Sequence, residues 1–195
     1  MSGKSESHSP QSDPRVERTR DRLGTAMWAL FQEKPFDAIT VQELLDRAGV
    51  ARSTFYTYFR DKNDLFVTDV DEFLERMATG LVGRTDAGDR VAPVRELFSH
   101  IGEMRKLYVA FVASGRIHEF FDLTRAHFTR GIEARLAELP RSARLVGQQR
   151  AALSQAFGGA LVSLLSWWVD GGCVMTPEAM DELFHRMVWS TVGPV

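Results

Sequence analysis

Residues Thr40–Lys62, TVQELLDRAGVARSTFYTYFRDK, decide the fold of this chain. The stretch begins with Thr40 and Glu43, whose Thr-x-x-Glu spacing predicts a capping box at the start of a helix. Apolar residues then recur at helical spacing and predict one buried face: Leu44, Leu45 and Ala48. Gly49 follows where the chain must turn sharply, because glycine enters such conformations without a Cβ penalty. The stretch therefore predicts a short capped helix and a tight turn.

A second short helix is predicted after the turn, over about eight residues from Ala51 to Tyr58. At roughly 1.5 Å per residue it is about 12 Å long, which suits a DNA major groove about 12 Å wide. Phe55 and Phe59 are four residues apart, so both lie on one face and point inward. The remaining surface carries hydrogen-bonding groups: Arg52, Ser53, Thr54, Tyr56, Thr57 and Tyr58. This combination predicts a helix-turn-helix that reads DNA.

The run from about Arg15 to Asp71 resembles the DNA-binding domain of the TetR (tetracycline-repressor) family of transcriptional regulators. The resemblance rests on the order Thr40, Ala48-Gly49-Val50, Thr54-Phe55-Tyr56-Thr57-Tyr58-Phe59, Lys62 and Leu65. It implies that Tyr56 and Tyr58 contact the DNA backbone and that Lys62 contacts a phosphate at the start of the next helix. It also implies a helical body that holds a small, often apolar ligand.

Roles for the other polar residues follow from their chemistry. Thr40 is placed for a phosphate contact beside a helix N-terminus. Arg52, Ser53, Thr54 and Thr57 are candidates for contacts with base edges, and Arg52 suits bidentate recognition of guanine. The alternative for each residue alone is an ordinary exposed polar side chain, and only their grouping on one face favours DNA binding.

The rest of the chain is predicted to be helical. Residues 1–13 are polar and are predicted to form a disordered arm; 14–62 are predicted to form the DNA-binding head, and 63–195 an effector-binding and dimerisation body. Asp13-Pro14 begins a helix that Pro35 ends, and Asp61 caps a fourth helix. Glycines between Thr79 and Pro93 mark a break. Further helices are predicted near Val94–Gly102, Met104–Ser114, Arg116–Leu139, Leu145–Asp170 and Glu178–Val192, giving an all-α fold of about nine helices.

Composition excludes several classes of protein. The 195 residues are 44% hydrophobic and 26% charged, as in ordinary globular proteins. The single cysteine, Cys173, excludes an intrachain disulfide and a multi-cysteine zinc site. No apolar signal segment begins the chain, and the longest nearly apolar run, Ala156–Val169, is shorter than the roughly 20 residues of a membrane span. We therefore expect a cytoplasmic protein without a membrane segment.

Net charge is a weak indicator of nucleic-acid binding in this chain. Residues 1–62 contain ten Lys and Arg against nine Asp and Glu. The basic residues nevertheless cluster locally, four of them at the start of the first helix: Arg15, Arg18, Arg20 and Arg22. Such a cluster supplies phosphate contacts that the net charge conceals.

The last two helices are the predicted dimer surface. Their small and apolar residues favour close helix packing, and in the family that the chain resembles two such helices from each subunit form a four-helix bundle. The residues predicted at the interface are Gly158, Leu161, Leu165, Trp168, Phe184, Met187 and Val188. The alternative is that both helices are internal core. Trp167 and Trp168 cannot both point into one core, because helical neighbours diverge by about 100°.

An effector pocket is predicted in the body from its aromatic and histidine residues. The predicted ligand-binding residues are Tyr108, Phe111, His118, Phe121, His127, Phe128 and Phe157, with Phe120 and His100 as further candidates. Aromatic residues at helical spacing more often form ordinary core, and that alternative stays open for each of them. The sequence does not identify the ligand.

Enzymatic alternatives have little support in the sequence. Glu182 and His185 have the Glu-x-x-His spacing of di-iron bundles, but only one copy exists. His118 and Asp122 share a helical face without a third metal ligand. We predict no catalytic residues, no metal and no cofactor. The favoured interpretation is a homodimeric regulator, a repressor, released from a pseudo-palindromic double-stranded operator by a small-molecule effector. The rival is a helical-bundle metalloenzyme or ligand carrier that does not bind DNA.

Overall fold

The computed structural model describes residues 14–105, 108–109, 112 and 117–193. These residues form eight α-helices and no strand, so the predicted all-α fold is confirmed. The helices are α1 (Pro14–Glu33), α2 (Val41–Ala48), α3 (Arg52–Tyr58), α4 (Lys62–Ala78), α5 (Val94–Glu103), α6 (Ile117–Glu138), α7 (Gly147–Asp170) and α8 (Pro177–Val192). Short 3₁₀ turns span Phe36–Ala38, Thr85–Ala87 and Pro140–Ser142.

The chain divides into two compact units, one ending at Phe66 and the other beginning at Val67. We call them the head and the body. The predicted boundary after residue 62 lies four residues before this division. The predicted arm, residues 1–13, and most of the helix predicted over Met104–Ser114 lie outside the described residues.

Polar side chains begin α4 and α8, and the first of them, Asp61, is predicted from the sequence. Asp61 precedes α4, and its Oδ1 accepts from the backbone N–H groups of Asn63 and Asp64 at 2.8 and 2.9 Å. Thr176 precedes α8, and its hydroxyl accepts from Ala179 N–H at 3.2 Å. Such caps satisfy backbone donors that the first turn of a helix leaves unpaired.

An aromatic cluster forms the centre of the head. The rings of Phe31, Phe36 and Phe66 lie 5.2–5.6 Å apart, and Trp28 packs against Phe31 and Phe66 at about 6 Å. Phe36 is completely buried. The cluster joins α1, the turn at Phe36–Ala38 and the first residues of α4, so it fixes the frame on which α2 and α3 rest.

The body is built around close contacts of α6 with α4 and α7. A Cβ on Gly131 of α6 would lie 2.3 Å from the Ala78 carbonyl oxygen of α4. A Cβ on Gly158 of α7 would lie 2.2 Å from the Thr129 hydroxyl of α6. Glycine is therefore required where α6 meets Ala78, since a backbone atom cannot move aside as a side chain can.

The segment between α4 and α5 is held by polar groups of the body. His185 Nε2 accepts from Val91 N–H at 3.0 Å, and Trp189 Nε1–H donates to the Asp89 carbonyl at 3.0 Å. Arg135 is buried and donates to the Gly88 and Arg90 carbonyls at 2.7 and 3.1 Å. These bonds explain why a glycine-rich segment keeps a defined path.

The predicted dimer residues lie mostly in the interior of one chain. Gly158, Leu161, Leu165, Trp168, Phe184 and Val188 are all buried within one chain, and only Met187 is half-buried. These six therefore pack within the chain, and their role at a dimer interface stays a prediction. Gly158 serves the intrachain contact of α7 with α6. Trp167 is 58% exposed beside buried Trp168, which confirms that the two neighbours diverge.

Among the described residues, α7 alone is long and apolar enough to cross a membrane by length and composition. Of its most apolar 18-residue window, 39% is buried within the chain. The sequence predicts a buried helix here, and α7 does pack against α6 along one side. Its other side keeps apolar residues at the surface.

Candidate nucleic-acid interface

The start of α2 is a complete capping box. The Thr40 hydroxyl accepts from Glu43 N–H at 3.2 Å, and Glu43 Oε2 accepts from Thr40 N–H at 2.9 Å. The Lys34 ammonium also pairs with Glu43. This hydrogen bond from Lys34, followed by those from Thr40, lowers the pKa of Glu43 to about 2. The Glu43 carboxylate therefore stays ionised, and the cap intact, to strongly acidic pH.

Gly49 makes the turn between α2 and α3. Its φ of 61° and ψ of 41° are left-handed, and Val50 N–H donates back to the Leu45 carbonyl at 3.1 Å. Arg22 of α1 donates to the Gly49 carbonyl at 2.8 Å. The turn therefore depends on the left-handed conformation of Gly49 and on a hydrogen bond from Arg22. The sequence does not predict the second contact.

Two buried phenylalanines anchor α3. Phe55 is 0% exposed and Phe59 3%, with ring centroids 5.7 Å apart. The intervening Tyr56 and Tyr58 are 48% and 39% exposed. Arg52, Ser53 and Thr57 are also exposed, whereas Thr54 is half-buried. The structure therefore brings six of the predicted DNA-binding residues together on α3.

The polar groups of α3 differ in what they offer a ligand. The Arg52 guanidinium lies 5.5 Å from the Tyr56 ring centroid, a cation–π arrangement that restricts the guanidinium to one side of the helix. Thr57 Oγ1 donates to the Ser53 carbonyl at 2.9 Å. Its hydrogen is therefore used within the helix, and Thr57 presents lone pairs and a methyl group. Arg52 offers donors, so the two suit different base edges.

Lys62, the first residue of α4, binds the turn that precedes α2. Its ammonium donates to the carbonyls of Phe36 at 2.8 Å, Asp37 at 3.2 Å and Ile39 at 2.6 Å. It also lies 4.7 Å from the centroid of the Phe36 ring. An ammonium has three N–H donors, and three carbonyls take them. The phosphate contact predicted for Lys62 would require at least one of these bonds to break.

Several other cations of the head also have partners within it. Arg47 binds Glu33 through two hydrogen bonds of 2.8 and 2.9 Å, and Arg60 pairs with Asp64 at 3.1 Å. The sequence does not predict these partners of Arg22, Lys34 and Arg47, and it suggests only a phosphate contact for Arg22. Their partners lie 27, 9 and 14 residues away, and no short motif records such contacts.

The predicted effector residues fall into separate environments. Tyr108 is buried, with its ring 6.1 Å from that of half-buried Phe121. Phe128 and Phe157 are core residues, and His118 is exposed. Phe111 lies outside the described residues. Tyr108 and Phe121 are therefore the predicted pair that the described structure brings into contact.

His127 has a different setting from the one that the sequence suggests. It is 5% exposed, and its Nε2 lies 2.7 Å from Asp71 Oδ1 of α4. Arg130 lies 2.8 Å from its Nδ1. Arginine can only donate, so Nδ1 accepts, and the hydrogen on Nε2 is donated to Asp71. His127 therefore ties α6 to α4.

Tyr108 lies in a polar environment despite its burial. Burial raises the pKa of its hydroxyl to about 12, and the nearby Asp170 acts in the same direction. The hydroxyl is consequently a neutral hydrogen-bonding group throughout the physiological range.

The residues considered for metal binding have other partners. His185 uses Nε2 for Val91 N–H, and its Nδ1 lies 2.8 Å from the Asp181 carbonyl oxygen. Glu182 lies 3.7 Å from Arg186. Asp122 pairs with Arg125 at 2.5 Å. No group of three or more potential metal ligands occurs in the described part of the chain.

The body also has an open surface pocket of about 660 Å³, lined by residues that include Arg90, Arg141, Asp181 and Trp189. The Arg141 guanidinium lies 4.6 Å from the Trp189 ring and pairs with Asp89 at 3.2 Å. Both signs of charge are present and largely paired with each other. The pocket is therefore formed where the segment between α4 and α5 meets α8, and none of the predicted effector residues lines it.

Two family models match the chain. One, described as bacterial regulatory proteins of the tetR family, covers residues 25–68. The other, a transcriptional regulator C-terminal region, covers residues 92–189. The first match contains α2 and α3 completely, and the second contains α5 through most of α8. Together they span the head and the body.

Individual proteins show the same relationship. The chain is 21% identical over 180 residues to the uncharacterised HTH-type transcriptional regulator YxbF of Bacillus subtilis (strain 168), covering 88% of this chain and 45% of YxbF. It is 33% identical over 86 residues to YdeS of the same organism, covering 44% of this chain and 41% of YdeS. The chain thus spans less than half the length of either relative.

A solved structure, that of a TetR transcriptional regulator from Streptococcus agalactiae 2603V, shares the fold. It superposes with a TM-score of 0.61 at 23% identity, covering 89% of this chain and 95% of the other. The capped α2, the glycine turn and the exposed face of α3 agree with these matches. The chain belongs to the TetR family of transcriptional regulators, and its head carries the helix-turn-helix DNA-binding domain of that family.

Proposed function

We propose that the protein is a homodimeric transcriptional repressor whose two α3 helices enter major grooves of a pseudo-palindromic operator. The observation that carries the proposal is the surface of α3, where exposed donors and aromatic hydroxyls surround two buried phenylalanine anchors. A twofold dimer presents two identical readers, so the operator must repeat in inverted orientation. Half-sites one turn apart lie about 34–36 Å from each other, or further if the heads are spread.

Within each head, the residues of α3 divide by chemistry. Arg52, Ser53, Thr54 and Thr57 read base edges, and Arg52 prefers guanine because its fork matches O6 and N7. Tyr56 and Tyr58 bind the sugar-phosphate backbone through rigid, half-exposed side chains. Thr40 adds a backbone contact at the start of α2, although its hydroxyl also donates to Glu43 Oε2 at 2.8 Å.

Dimerisation uses the outward faces of α7 and α8. Trp167 is 58% exposed and Leu183 37%, and half-buried Met187 lies one turn beyond Leu183. Gly159 faces open space, since no atom lies within 4 Å of its ideal Cβ position. A second copy of the chain fits this face because α7 is apolar well beyond the part that its own subunit covers. Burial of such surface contributes roughly 25 cal/mol per Å².

An effector in the body changes DNA affinity. The supporting features are the contact of Tyr108 with Phe121 and the hydroxyl that Tyr108 keeps neutral. A small ligand with apolar surface and one hydrogen-bonding group matches that pair. It releases the operator only if it binds the released conformer more tightly, with a coupling typically of about 1–3 kcal/mol.

The rival interpretation, a metalloenzyme or carrier without DNA binding, has less support. That interpretation depends on the spacing of Glu182 and His185. Both ring nitrogens of His185 already contact backbone atoms. Family membership favours a regulator without catalytic activity that works in the cytoplasm, where its operator lies. Metal analysis of the purified protein distinguishes the two interpretations: stoichiometric bound metal together with no DNA affinity would favour the rival.

The direct test is binding of the full chain to duplex DNA, measured by fluorescence anisotropy over a series of salt concentrations. We expect the logarithm of the association constant to fall linearly with the logarithm of the salt concentration, with a slope of about −0.9 per phosphate contact. The variant Arg52→Ala/Tyr56→Ala/Tyr58→Ala should abolish it without loss of helicity, since all three side chains are exposed. The matched control Val174→Ser changes an exposed body residue and should bind normally. Binding that the triple variant retains would refute α3 as the DNA reader.

A further inference from the structure

We propose that Lys62 is a positioning residue that holds the helix-turn-helix in its orientation, and that it does not contact a phosphate. The proposal deepens the proposed function. It rests on DNA binding for one of its two measurements only. Its basis is the set of three carbonyl contacts between the first residue of α4 and the turn that leads into α2.

The contacts saturate the ammonium. Its three donors meet three acceptors at 2.6–3.2 Å, and the Phe36 ring lies beneath it at 4.7 Å. Hydrogen bonds from a charged donor are stronger than neutral ones. Lys62 is only half-exposed, and Phe36 is completely buried. A phosphate would have to compete with a site that already supplies both hydrogen-bond acceptors and an aromatic face.

The three carbonyls bound by Lys62 belong to the turn directly before α2. Ile39 directly precedes Thr40, the residue that caps α2, and α2 leads through the Gly49 turn to α3. The Phe36 carbonyl also accepts from Ile39 N–H at 3.0 Å, so Lys62 closes a turn that has only a few backbone bonds of its own. Fixing Ile39 fixes where α2 begins, and therefore how α3 is presented.

Other cations of the head act in the same manner at the next junction. Arg22 holds the Gly49 carbonyl, and Arg20 lies 5.9 Å from the Phe59 ring at the end of α3. Each junction of the helix-turn-helix is thus in contact with a basic side chain. Basic residues at these positions contribute to the shape of the head as well as to its charge.

The test compares two variants. Lys62→Met keeps a long unbranched side chain but removes all three N–H donors, and Lys62→Arg keeps the positive charge. A planar guanidinium cannot direct its donors at three converging carbonyls as an ammonium does. The control is Arg18→Met, which removes an exposed cation of α1. Amide hydrogen exchange is measured on the whole chain without DNA, so the result does not depend on the proposed function.

We expect Lys62→Met and Lys62→Arg to accelerate exchange of residues 39–48 by about tenfold or more, with α7 unchanged and Arg18→Met like the wild type. Exchange in both Lys62 variants as slow as in the wild type would overturn the proposal. If Lys62→Met does not fold, Lys62→Arg alone decides the matter by the same criterion.

The second measurement is the salt slope of DNA binding. A positioning role predicts weaker binding by Lys62→Met with an unchanged slope. A phosphate contact predicts a slope that falls by about 0.9 per head and returns in Lys62→Arg. That pattern would overturn the proposal. Absence of DNA binding by the wild type would refute the proposed function but leave the exchange result to decide the role of Lys62.

Discussion

In the proposed complex with DNA, Arg52 is the side chain of α3 with the greatest capacity to distinguish bases. Its guanidinium is exposed and stacked beside Tyr56, so its donors are directed before DNA arrives. The sequence predicts the chemistry of such residues well, because residue type determines donors and acceptors. It does not predict their partners: Lys62 and Thr40 have the expected chemistry, but their polar atoms are used by Phe36, Asp37, Ile39 and Glu43.

Replacing this residue tests base readout. Arg52→Ala should relax preference at particular base pairs by about 1–3 kcal/mol, since a bidentate contact with guanine is lost. Competition binding against single-position operator variants measures this. Tyr58→Phe serves as the control, because it removes a proposed contact with the DNA backbone and should weaken binding to all sequences alike. Uniform loss across variants with Arg52→Ala would contradict base readout by this residue.

A second residue-scale prediction concerns pH. Burial alone would raise the pKa of Asp181, but hydrogen bonds from His185, Arg95 and Arg90 outweigh it and hold the pKa at about 2, below the ordinary 3.8. Because the folded-state pKa is depressed, this stabilisation is complete above about pH 4 and is lost as pH falls toward 2. Its size is about 2 kcal/mol.

Urea unfolding across that pH window measures the effect. Asp181→Asn should be less stable than the wild type at pH 7 and should lose less stability between pH 4 and 2. Glu182→Gln is the control, since that carboxylate is exposed at the next position of α8. Parallel pH profiles for Asp181→Asn and the wild type would rule out this contribution.

At the scale of elements, helix positions were predictable and helix faces only partly so. The positions of α2 and α3 were predictable from the capping box, Gly49 and the phenylalanine pair. Each of these features involves residues close in sequence and has one physical cause. The faces of α7 were not predictable, since apolar residues occur around most of that helix and its periodicity does not select a side. The predicted interface residues Gly158, Leu161 and Leu165 are instead buried within the chain, and Gly158 meets Thr129 of α6.

The contact between α4 and α6 gives an element-scale prediction. Gly131→Ala would place a Cβ 2.3 Å from the Ala78 carbonyl oxygen, so the two helices must separate. We expect a loss of about 1–3 kcal/mol in the free energy of unfolding, the usual cost of overpacking. Gly147→Ala is the control, because open space surrounds that position. The measurement is the midpoint of thermal unfolding. A midpoint in Gly131→Ala equal to that of the wild type would show that the contact tolerates a methyl group.

At the scale of the whole molecule, the proposed function depends on pairing two chains. The exposed residues Trp167 and Leu183 lie on α7 and α8, the two helices that the sequence predicts as the dimer surface. They lie on other faces of these helices than most of the predicted interface residues. Trp167→Glu/Leu183→Glu should yield monomers, because each apolar anchor contributes about 1.5–3 kcal/mol when buried and a buried carboxylate opposes association. Sedimentation velocity measures the mass, and Val174→Glu, at an 86% exposed position outside the helices, is the control. Dimers that persist in the double variant would place the interface elsewhere.

Selection of binding sites from random duplex DNA by the purified chain, followed by sequencing, tests the central claim most directly. Two α3 helices related by a twofold axis predict an enriched inverted repeat whose half-sites are centred about 10 base pairs or more apart. They also predict that Arg52→Ala enriches a repeat with relaxed preference at symmetric positions. Enrichment of a single unrepeated site, or no enrichment above the input library, would contradict the account.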